Sequence, residues 1–472
     1  MAGSSSLPAI PPDPDLPGSG GLLGDVGARA VGEFLTARGR TVGALRPVQA
    51  LYRPGRSLLV RFLVWTGNGL GEDRRISVCV EARRSALGPE RLPPGTPDDV
   101  EASGPLLVWA FPYDPRLPGL PGADSSSAAQ GALESIMPRP TTLSVELLRY
   151  RPRRRAVFRY RLLRPGRHRR IETWYAKVVP AAEAARLADT APGSSVLEVA
   201  RPAGVVGEGV LMYEAVAGRS LRDLLVEGGS LPRPHRVAGL IDVVASLPVP
   251  GHRPAPRSAE ASLRRMSGLL ERIVPDAPVA RIASAVEKGF DEPRPAARLV
   301  HGDLYEAQVL VGDDFTLRLI DLDDLGIGDP AMDAANFTSH LVALAMSRPE
   351  AADRLLAYRS LVREAFLERL GMASRHLAWR EGLAMAMLAA GPFRVLHPDW
   401  PELVRRRLAV AERLLEGPDR RPVIGADQQR ARPGSRGRRS ARPAPRLPTA
   451  PAPLQTWRPA EPGHPGSPTR RC

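Results

Sequence analysis

The 472-residue sequence predicts an α+β fold of two lobes, an antiparallel sheet followed by a mainly helical part, with an extra α/β segment at the N-terminus. Three observations lead to this prediction. Residues 142–179 alternate apolar and polar side chains in three runs separated by Pro, Gly and Arg turn signals, which is typical of antiparallel strands. From about Pro234 the pattern becomes helical, with short strand-like runs only near Leu299. Upstream, two stretches repeat the pattern of the sheet.

The predicted organisation has five parts in chain order: a disordered Pro/Gly-rich N-terminus (1–26), an extra segment (27–137), the sheet lobe (138–218), the helical lobe (219–416) and a disordered tail (417–472). The tail is rich in Arg and Pro and lacks apolar periodicity, which is typical of disorder. It carries twelve Arg against three acidic residues, so it holds most of the net charge of +15. Weak contact with nucleic acid or an anionic membrane is one interpretation of this charge, and a solvated tail is the alternative.

The extra segment resembles the sheet lobe in two places. Residues 50–64 resemble residues 148–162, and the run from Arg74 resembles the run from Arg169. A partial duplicate of the sheet, chance similarity between hairpins, and a cap over the substrate site are three interpretations of the segment. The alignment sets Ala82 opposite Lys177, so only the second copy has a lysine near the end of its third strand.

Composition excludes several classes of protein. Apolar content of 43% and charged content of 25% are ordinary for a soluble globular chain. No apolar run reaches eighteen residues and the N-terminus lacks the order of a secretory signal, so we expect a cytoplasmic protein without a membrane span. The two cysteines, Cys79 and Cys472, form no metal-ligand or redox motif. The sequence gives no indication of oligomeric state.

Lys177 is informative because lysine is rare here. Only Lys177 and Lys288 are lysines among 66 basic residues, so Arg is used almost wherever a positive charge suffices. Lysine is a compact point charge that fits beside a phosphate without the guanidinium fork. Lys177 stands at the end of the apolar strand WYAKVV. A phosphate-binding lysine is the functional interpretation, and an ordinary strand lysine is the alternative.

Polar side chains interrupt short apolar runs in LVHGDLYEAQVLV (299–311) and in LRLID (317–321). Asp303 follows one strand on a tight turn, Gln308 precedes the next strand, and Asp321 ends the strand after that. Hairpin geometry brings these three side chains together. A carboxylate can accept a proton from a hydroxyl group, and amide and carboxylate oxygens can ligate Mg²⁺. With a lysine from a separate sheet, the set meets the requirements of phosphoryl transfer from Mg·ATP.

The motifs HGDLYEAQVLV and LIDLDDLGIGDPAMDAANF resemble the catalytic and metal-binding segments of the aminoglycoside phosphotransferase family. YAKVV is similar to that family's phosphate-binding lysine strand, and LMYEAVAGRSLRDLL to its hinge into the helical lobe. The resemblance covers about 142–416 and implies a protein-kinase-like fold. It also implies an ATP- and Mg²⁺-dependent phosphotransferase whose acceptor is a hydroxyl group of a small molecule, such as a sugar or an aminoglycoside.

The resemblance assigns a role to each matching residue. Asp303 would be the catalytic base, with Gln308 and Asp321 as metal ligands. The cofactor-binding residues would be Lys177 on the ATP phosphates, Glu183 as the partner of that lysine, and Met212, Tyr213 and Glu214, whose backbone would hold the adenine. Gln308 departs from the family, which usually has Asn there.

Other positions are expected to support the site. Pro and Arg replace the usual glycines of the phosphate-covering turn, so Arg153 to Arg155 either contact phosphates or form a solvated turn. Asp329 and Asp333 match a structural motif, a helix N-cap and a carboxylate that braces the loop. His301 is expected to fix the loop by hydrogen bonding.

A non-catalytic binding protein of the same fold, with a basic interaction tail, is the alternative to an enzyme. The joint presence of Lys177, Asp303 and Asp321 favours an enzyme, because ionised groups are costly to keep in a cleft without a function. The sequence does not select the acceptor, because family membership alone does not fix it.

Overall fold

The computed structural model describes residues 7–67, 74–84, 100–136, 141–164, 170–189, 199–248, 259–289 and 295–417. The two-lobed α+β fold is confirmed, with an antiparallel sheet lobe followed by a mainly helical lobe. The tail beyond residue 417, for which disorder is predicted, lies outside the described residues.

The N-terminal segment contains a complete five-stranded sheet. Its elements are α1 (Asp25–Thr36), β1 (Thr41–Arg53), β2 (Ser57–Gly67), β3 (Arg74–Arg83), β4 (Val100–Ser103), β5 (Leu106–Ala110), α2 (Leu120–Asp124) and α3 (Ser126–Leu133). The strands are antiparallel in the order β1-β2-β3-β5-β4. We call this the first sheet.

The sheet lobe follows with the same arrangement. Its elements are β6 (Thr141–Arg151), β7 (Arg155–Arg164), β8 (Arg170–Val178), α4 (Ala181–Asp189), β9 (Pro202–Val206) and β10 (Val210–Glu214). The strand order is β6-β7-β8-β10-β9, so this second sheet repeats the topology of the first. Equal topology is what a duplicated sheet would have.

The register of the two sheets differs from the alignment made on sequence similarity. Leu59, the third residue of β2, faces Glu81 across the hairpin. Val157, the third residue of β7, faces Lys177. The residue of the first sheet that occupies the lysine position is therefore Glu81 and not Ala82. Sequence similarity cannot detect such a shift, because the two β3-like strands follow connections of different length.

The helical lobe holds five short strands and ten helices among the described residues. They are β11 (Arg219–Ser220), α5 (Leu221–Glu227), α6 (Pro234–Ala238), α7 (Leu240–Ala245), α8 (Ala259–Ile273), α9 (Val279–Lys288), β12 (Arg298–Val300), β13 (Val309–Val311), β14 (Leu317–Leu319), β15 (Gly326–Gly328), α10 (Pro330–Ser347), α11 (Ala352–Leu370), α12 (Ser374–Leu388), α13 (Gly391–Arg394) and α14 (Trp400–Glu416), the small strands pairing as β11-β13-β14 and β12-β15. Within the described ranges, no helix combines the length and the apolar character needed to cross a bilayer.

Two apolar clusters attach the first sheet to the rest of the chain. One face, with Phe62 and Val80, shares a cluster with the C-terminal helices, including Ile273 and Trp400. The opposite face, with Trp109, shares a cluster with the second sheet. Alternate residues of a strand point to opposite faces, so the first sheet packs against both lobes. The helical lobe has its own cluster around α10 and α11.

Residues 7–24 are packed against the protein, whereas the sequence predicts disorder for 1–26. Leu16 and Leu22 are 1% and 0% exposed and pack under the first sheet. Asp13 accepts hydrogen bonds from the Tyr52 hydroxyl (2.7 Å) and from the Gly55 N–H (2.8 Å). Pro and Gly dominate the composition here, and they obscure a few apolar and acidic residues that fix the segment. Residues 1–6 lie outside the described part of the chain.

Candidate active site

Helix α10 fixes the loop between β12 and β13 through hydrogen bonds. Asp333 accepts hydrogen bonds from the backbone N–H groups of His301 (2.7 Å) and Gly302 (2.9 Å). The buried His301 ring contacts the Ile320 carbonyl (3.2 Å). Gly302 has φ +80°, and a Cβ there would lie 2.3 Å from the Asp324 carbonyl oxygen, so this turn requires glycine. His301 and Asp333 thus have the supporting roles expected of them.

Asp303 follows this turn and is half-buried at the cleft. Burial, together with the charges of Asp324 and Asp321, raises its pKa to about 7. Asn336 donates to Asp303 Oδ1 (3.4 Å) and to the Leu304 carbonyl (3.0 Å), which fixes the carboxyl against α10. A carboxyl group with a pKa near neutrality can accept a proton from a hydroxyl group.

Asp321 lies two residues beyond β14 and faces Gln308 across the β13–β14 hairpin. Gln308 Nε2 donates to Asp321 Oδ2 (3.3 Å), so the two expected metal ligands are neighbours. Asp321 adopts a left-handed backbone with φ +60°, an uncommon conformation outside glycine that is concentrated at functional sites. The buried Gln308 and the partly exposed Asp321 direct side-chain polar groups into the same cleft.

Two cations of the second sheet neutralise this loop. Lys177 Nζ lies 2.6 Å from Asp321 Oδ1 and also pairs with Asp323. Arg155 Nη1 lies 3.2 Å from Asp321 and 3.4 Å from Asp323. Burial by itself raises the pKa of Asp321, but Lys177 and Arg155 outweigh burial and lower it. Asp321 is therefore held as a carboxylate.

The expectation that Glu183 pairs with Lys177 is wrong for this structure. Glu183 lies in the first turn of α4, and among the described residues the ion-pair partners of Lys177 are Asp321 and Asp323. Both partners come from the loop after β14 in the other lobe. Asp323 was missed by the sequence reasoning, although the acidic run DLDD at 321–324 was a visible signal.

Met212, Tyr213 and Glu214 lie in β10, paired with β8 on one side and with β9 on the other. Met212 is buried. Tyr213 is on the same face of the sheet as Lys177, because Leu211 pairs with Lys177 and alternate residues share a face. Its ring therefore lies on the cleft side of the sheet, where burial and the aspartates after β14 raise its pKa.

The β6–β7 hairpin presents arginines to the same cleft. In the strand register, Arg151 lies opposite Arg155, and Arg149 lies opposite Val157. On the other side of β7, Val157 lies opposite Lys177. These four cations therefore share one face of the second sheet. Burial, together with the charges of Arg149 and Arg155, lowers the pKa of Arg151 to about 10.

Arg153 points the other way. Its guanidinium pairs with Glu81 of the first sheet at 2.8 Å, whereas Arg154 is exposed. Of the three arginines considered for phosphate contact, only Arg155 faces the loop after β14.

An aromatic pair lies beside Asp303. Tyr305 stacks on His340 of α10, with ring centroids 4.3 Å apart and planes inclined by 20°. The Arg222 guanidinium lies 5.5 Å from the Tyr305 ring and pairs with the buried Glu306 (2.7 Å). Burial lowers the pKa of His340 to about 3, so the stacked imidazole is neutral. Tyr305 thus forms an aromatic surface next to the candidate base, which sequence reasoning missed.

Within the described residues, no group of three or more His, Cys, Asp or Glu side chains could hold a metal ion. Asp321 and Gln308 together nevertheless suit Mg²⁺. This ion keeps several waters and takes only one or two protein oxygens alongside substrate phosphates.

Comparisons with known proteins give a family match for part of the chain and a set of similar solved structures. Residues 147–370 match the phosphotransferase enzyme family. Similar solved structures include choline kinase LicA from Streptococcus pneumoniae, with 13% identity, 61% of this chain and 98% of that chain covered, and a TM-score of 0.39. Aminoglycoside phosphotransferase APH(3'')-Id from Streptomyces rimosus has 21% identity, coverage of 55% and 96%, and a TM-score of 0.38. A thermostable mutant of APH(4)-Ia in ternary complex with AMP-PNP and hygromycin B has 16% identity, coverage of 61% and 98%, and a TM-score of 0.41. No curated protein sequence matches this chain.

Proposed function

We propose that this chain, whose residues 147–370 match the phosphotransferase enzyme family, is an ATP-dependent small-molecule kinase. It transfers the γ-phosphate of ATP to a hydroxyl group of a sugar, an aminoglycoside or a similar acceptor. One observation carries the proposal: a carboxyl group with a pKa near 7 shares a cleft with a lysine, an amide and an ionised aspartate. The scarcity of cysteine agrees with work in the cytoplasm, where ATP is supplied.

Asp303 is the proposed general base. It accepts the proton of the acceptor hydroxyl as the hydroxyl oxygen forms a bond to the γ-phosphorus. The bond from that phosphorus to the oxygen bridging the β- and γ-phosphates breaks, and ADP leaves with that oxygen. The contact from Asn336 keeps the carboxyl oriented during this transfer.

Lys177 and Arg155 are the proposed phosphate-binding cations. They pair with the aspartates after β14, so binding of a triphosphate to these two cations would exchange one set of anions for another. Arg149 and Arg151 share their face of the sheet, and in the described part of the chain neither pairs with a carboxylate. Guanidinium groups are well suited to phosphate oxygens, so these side chains replace the backbone of a glycine-rich turn.

Asp321 and Gln308 are the proposed ligands of Mg²⁺. When bound, the ion would act as a Lewis acid and neutralise the charge that develops on the phosphates during transfer. Ligation by Gln308 requires its amide oxygen, rather than the Nε2 that now donates to Asp321, to face the metal. The backbone from Met212 to Glu214 is the proposed contact for adenine, because Tyr213 lies on the same face of the second sheet as Lys177.

The test is ADP release by purified protein with panels of sugars, amino alcohols and aminoglycosides, compared with Asp303→Asn. We expect acceptor-dependent turnover that falls by about 10²–10⁴-fold in the variant, with nucleotide affinity retained. Undiminished turnover in Asp303→Asn contradicts its role as the base. Magnesium-dependent nucleotide binding without turnover on any acceptor favours the non-catalytic alternative.

A further inference from the structure

One residue in the turn of the β6–β7 hairpin has a left-handed backbone conformation. Glycine has that conformation at the corresponding position of the β1–β2 hairpin. Arg153 has φ +61°, and Gly55, at the same place in the β1–β2 hairpin, has φ +67°. A non-glycine residue in this left-handed region costs about 1–2 kcal/mol. The second hairpin therefore retains an arginine side chain where glycine would be less strained.

The Arg153 side chain is bound by the first sheet. Its Nη2 lies 2.8 Å from Glu81 Oε2, and its guanidinium carbon lies 5.2 Å from the Trp109 ring. Its backbone N–H donates to Asp114 Oδ2 at 2.8 Å. Glu81 and Asp114 are only 5% and 6% exposed, so these contacts are shielded from water and from salt.

The same carboxylate holds the strand that enters the turn. The Tyr150 hydroxyl donates to Asp114 Oδ2 (2.7 Å) and accepts from Trp109 Nε1 (3.1 Å). Tyr150 is the last β6 residue before Arg151, which faces the cleft. The hairpin is thus fixed at both ends of its turn by residues outside the sheet to which it belongs.

The hairpin needs such support because of its own charge. Arg151 and Arg155 lie directly opposite each other, and like charges in this arrangement destabilise a strand pair. Arg149 adds a third positive charge on the same face. Without an external partner, these side chains would separate the strands that carry them toward the cleft.

We propose that Glu81, Trp109 and Asp114 are positioning residues that hold the β6–β7 hairpin so that Arg151 and Arg155 face the phosphates of ATP. The inference rests on the proposed function, because the phosphates are the ligand of that function. It gives the first sheet a role: Glu81, which stands where the second sheet has Lys177, binds the hairpin instead of a nucleotide.

The first sheet supplies a matched control. Asp13 makes the same two hydrogen bonds to its own hairpin, 2.7 Å from the Tyr52 hydroxyl and 2.8 Å from the Gly55 N–H. Asp13 is 6% exposed, as is Asp114. Its hairpin carries no residue that contacts the loop after β14 in the described structure. Asp13→Asn therefore removes equivalent bonds without acting on the cleft.

The experiment compares Glu81→Gln, Asp114→Asn and Asp13→Asn in the full-length protein. The first readout is hydrogen exchange of the amides from Tyr150 to Arg155 without nucleotide. The second is the KM for ATP set against kcat. We expect faster exchange, and a KM for ATP raised about ten- to hundredfold with a smaller change in kcat, in Glu81→Gln and Asp114→Asn only.

A variant at Arg153 tests whether this contact itself matters, because Glu81 Oε2 also accepts a hydrogen bond from Arg83 Nε at 2.9 Å. Arg153→Gln removes the guanidinium and leaves the Glu81–Arg83 pair in place, and we expect it to speed hairpin exchange and raise the KM for ATP as Glu81→Gln does. Hairpin exchange and KM in Glu81→Gln and Asp114→Asn that match those in Asp13→Asn would overturn the inference. Absence of nucleotide binding by the wild-type protein contradicts the proposed function, whereas hydrogen exchange still decides whether the first sheet holds the hairpin.

Discussion

Asp303→Asn should make the protein more stable, by an amount that depends on pH. Burial, with Asp324 and Asp321, raises the pKa of Asp303 from 3.8 to about 7. A raised pKa means that the ionised carboxylate opposes folding, so its stability contribution is fully present below about pH 4 and is lost as pH rises through 7. At about 1.36 kcal/mol per pKa unit, the loss is about 2 kcal/mol at pH 5 and at most about 4 kcal/mol at pH 8.

Asparagine has nearly the shape of the protonated carboxyl group and cannot ionise, so the variant avoids this loss. The assay is urea denaturation of both proteins at pH 5 and pH 8 without nucleotide, with the free energy of unfolding compared at each pH. Asp313→Asn, at an exposed position on the β13–β14 turn, is the control for removing a carboxylate outside the cleft. An equal difference at both pH values for Asp303→Asn would refute the perturbed pKa.

Three further predictions concern the metal ligands and the loop. Asp321→Asn should abolish the magnesium-dependent stabilisation by ATP, which at roughly 100 times the dissociation constant is about 2.7 kcal/mol, in a thermal denaturation assay; a persisting shift contradicts metal ligation. Gln308→Asn should retain magnesium-dependent nucleotide binding while Gln308→Leu weakens it about tenfold or more, measured by calorimetric titration at several Mg²⁺ concentrations; equal affinities exclude an amide ligand. Asp333→Asn should lower the free energy of unfolding by about 2–4 kcal/mol, because its NH₂ group would face one of the backbone N–H donors of His301 and Gly302; a change below about 0.5 kcal/mol in urea denaturation argues against the brace.

Local spacing made much of the candidate site predictable. Asp303, Gln308 and Asp321 stand at the ends of consecutive short strands, and hairpin pairing within about twenty residues is enough to bring them together. Asp329 caps α10 through the Ala331 N–H (2.8 Å), as its position before Pro330 predicts.

Contacts between distant segments were not predictable in the same way. The pairing of Lys177 with Asp323 spans 146 positions and depends on how the two lobes pack. The opposite directions of Arg153 and Arg155 follow from the exact turn of one hairpin, which composition does not determine. The order of residues 7–24 depends on a few buried side chains in a Pro/Gly-rich stretch. The average composition of the segment therefore predicted disorder.

Both faces of the first sheet contribute to apolar clusters, one with the C-terminal helices and one with the second sheet. Any rotation that widened the cleft by separating the lobes would expose apolar surface in at least one of the two clusters, at about 25 cal/mol for each Å² exposed. The lobes therefore form a fixed frame, and entry and exit of ligands depend on motions at its rim. For the proposed kinase, we therefore expect turnover to depend on how fast the β6–β7 hairpin and the loop after β14 release their mutual ion pairs, rather than on a hinge between lobes.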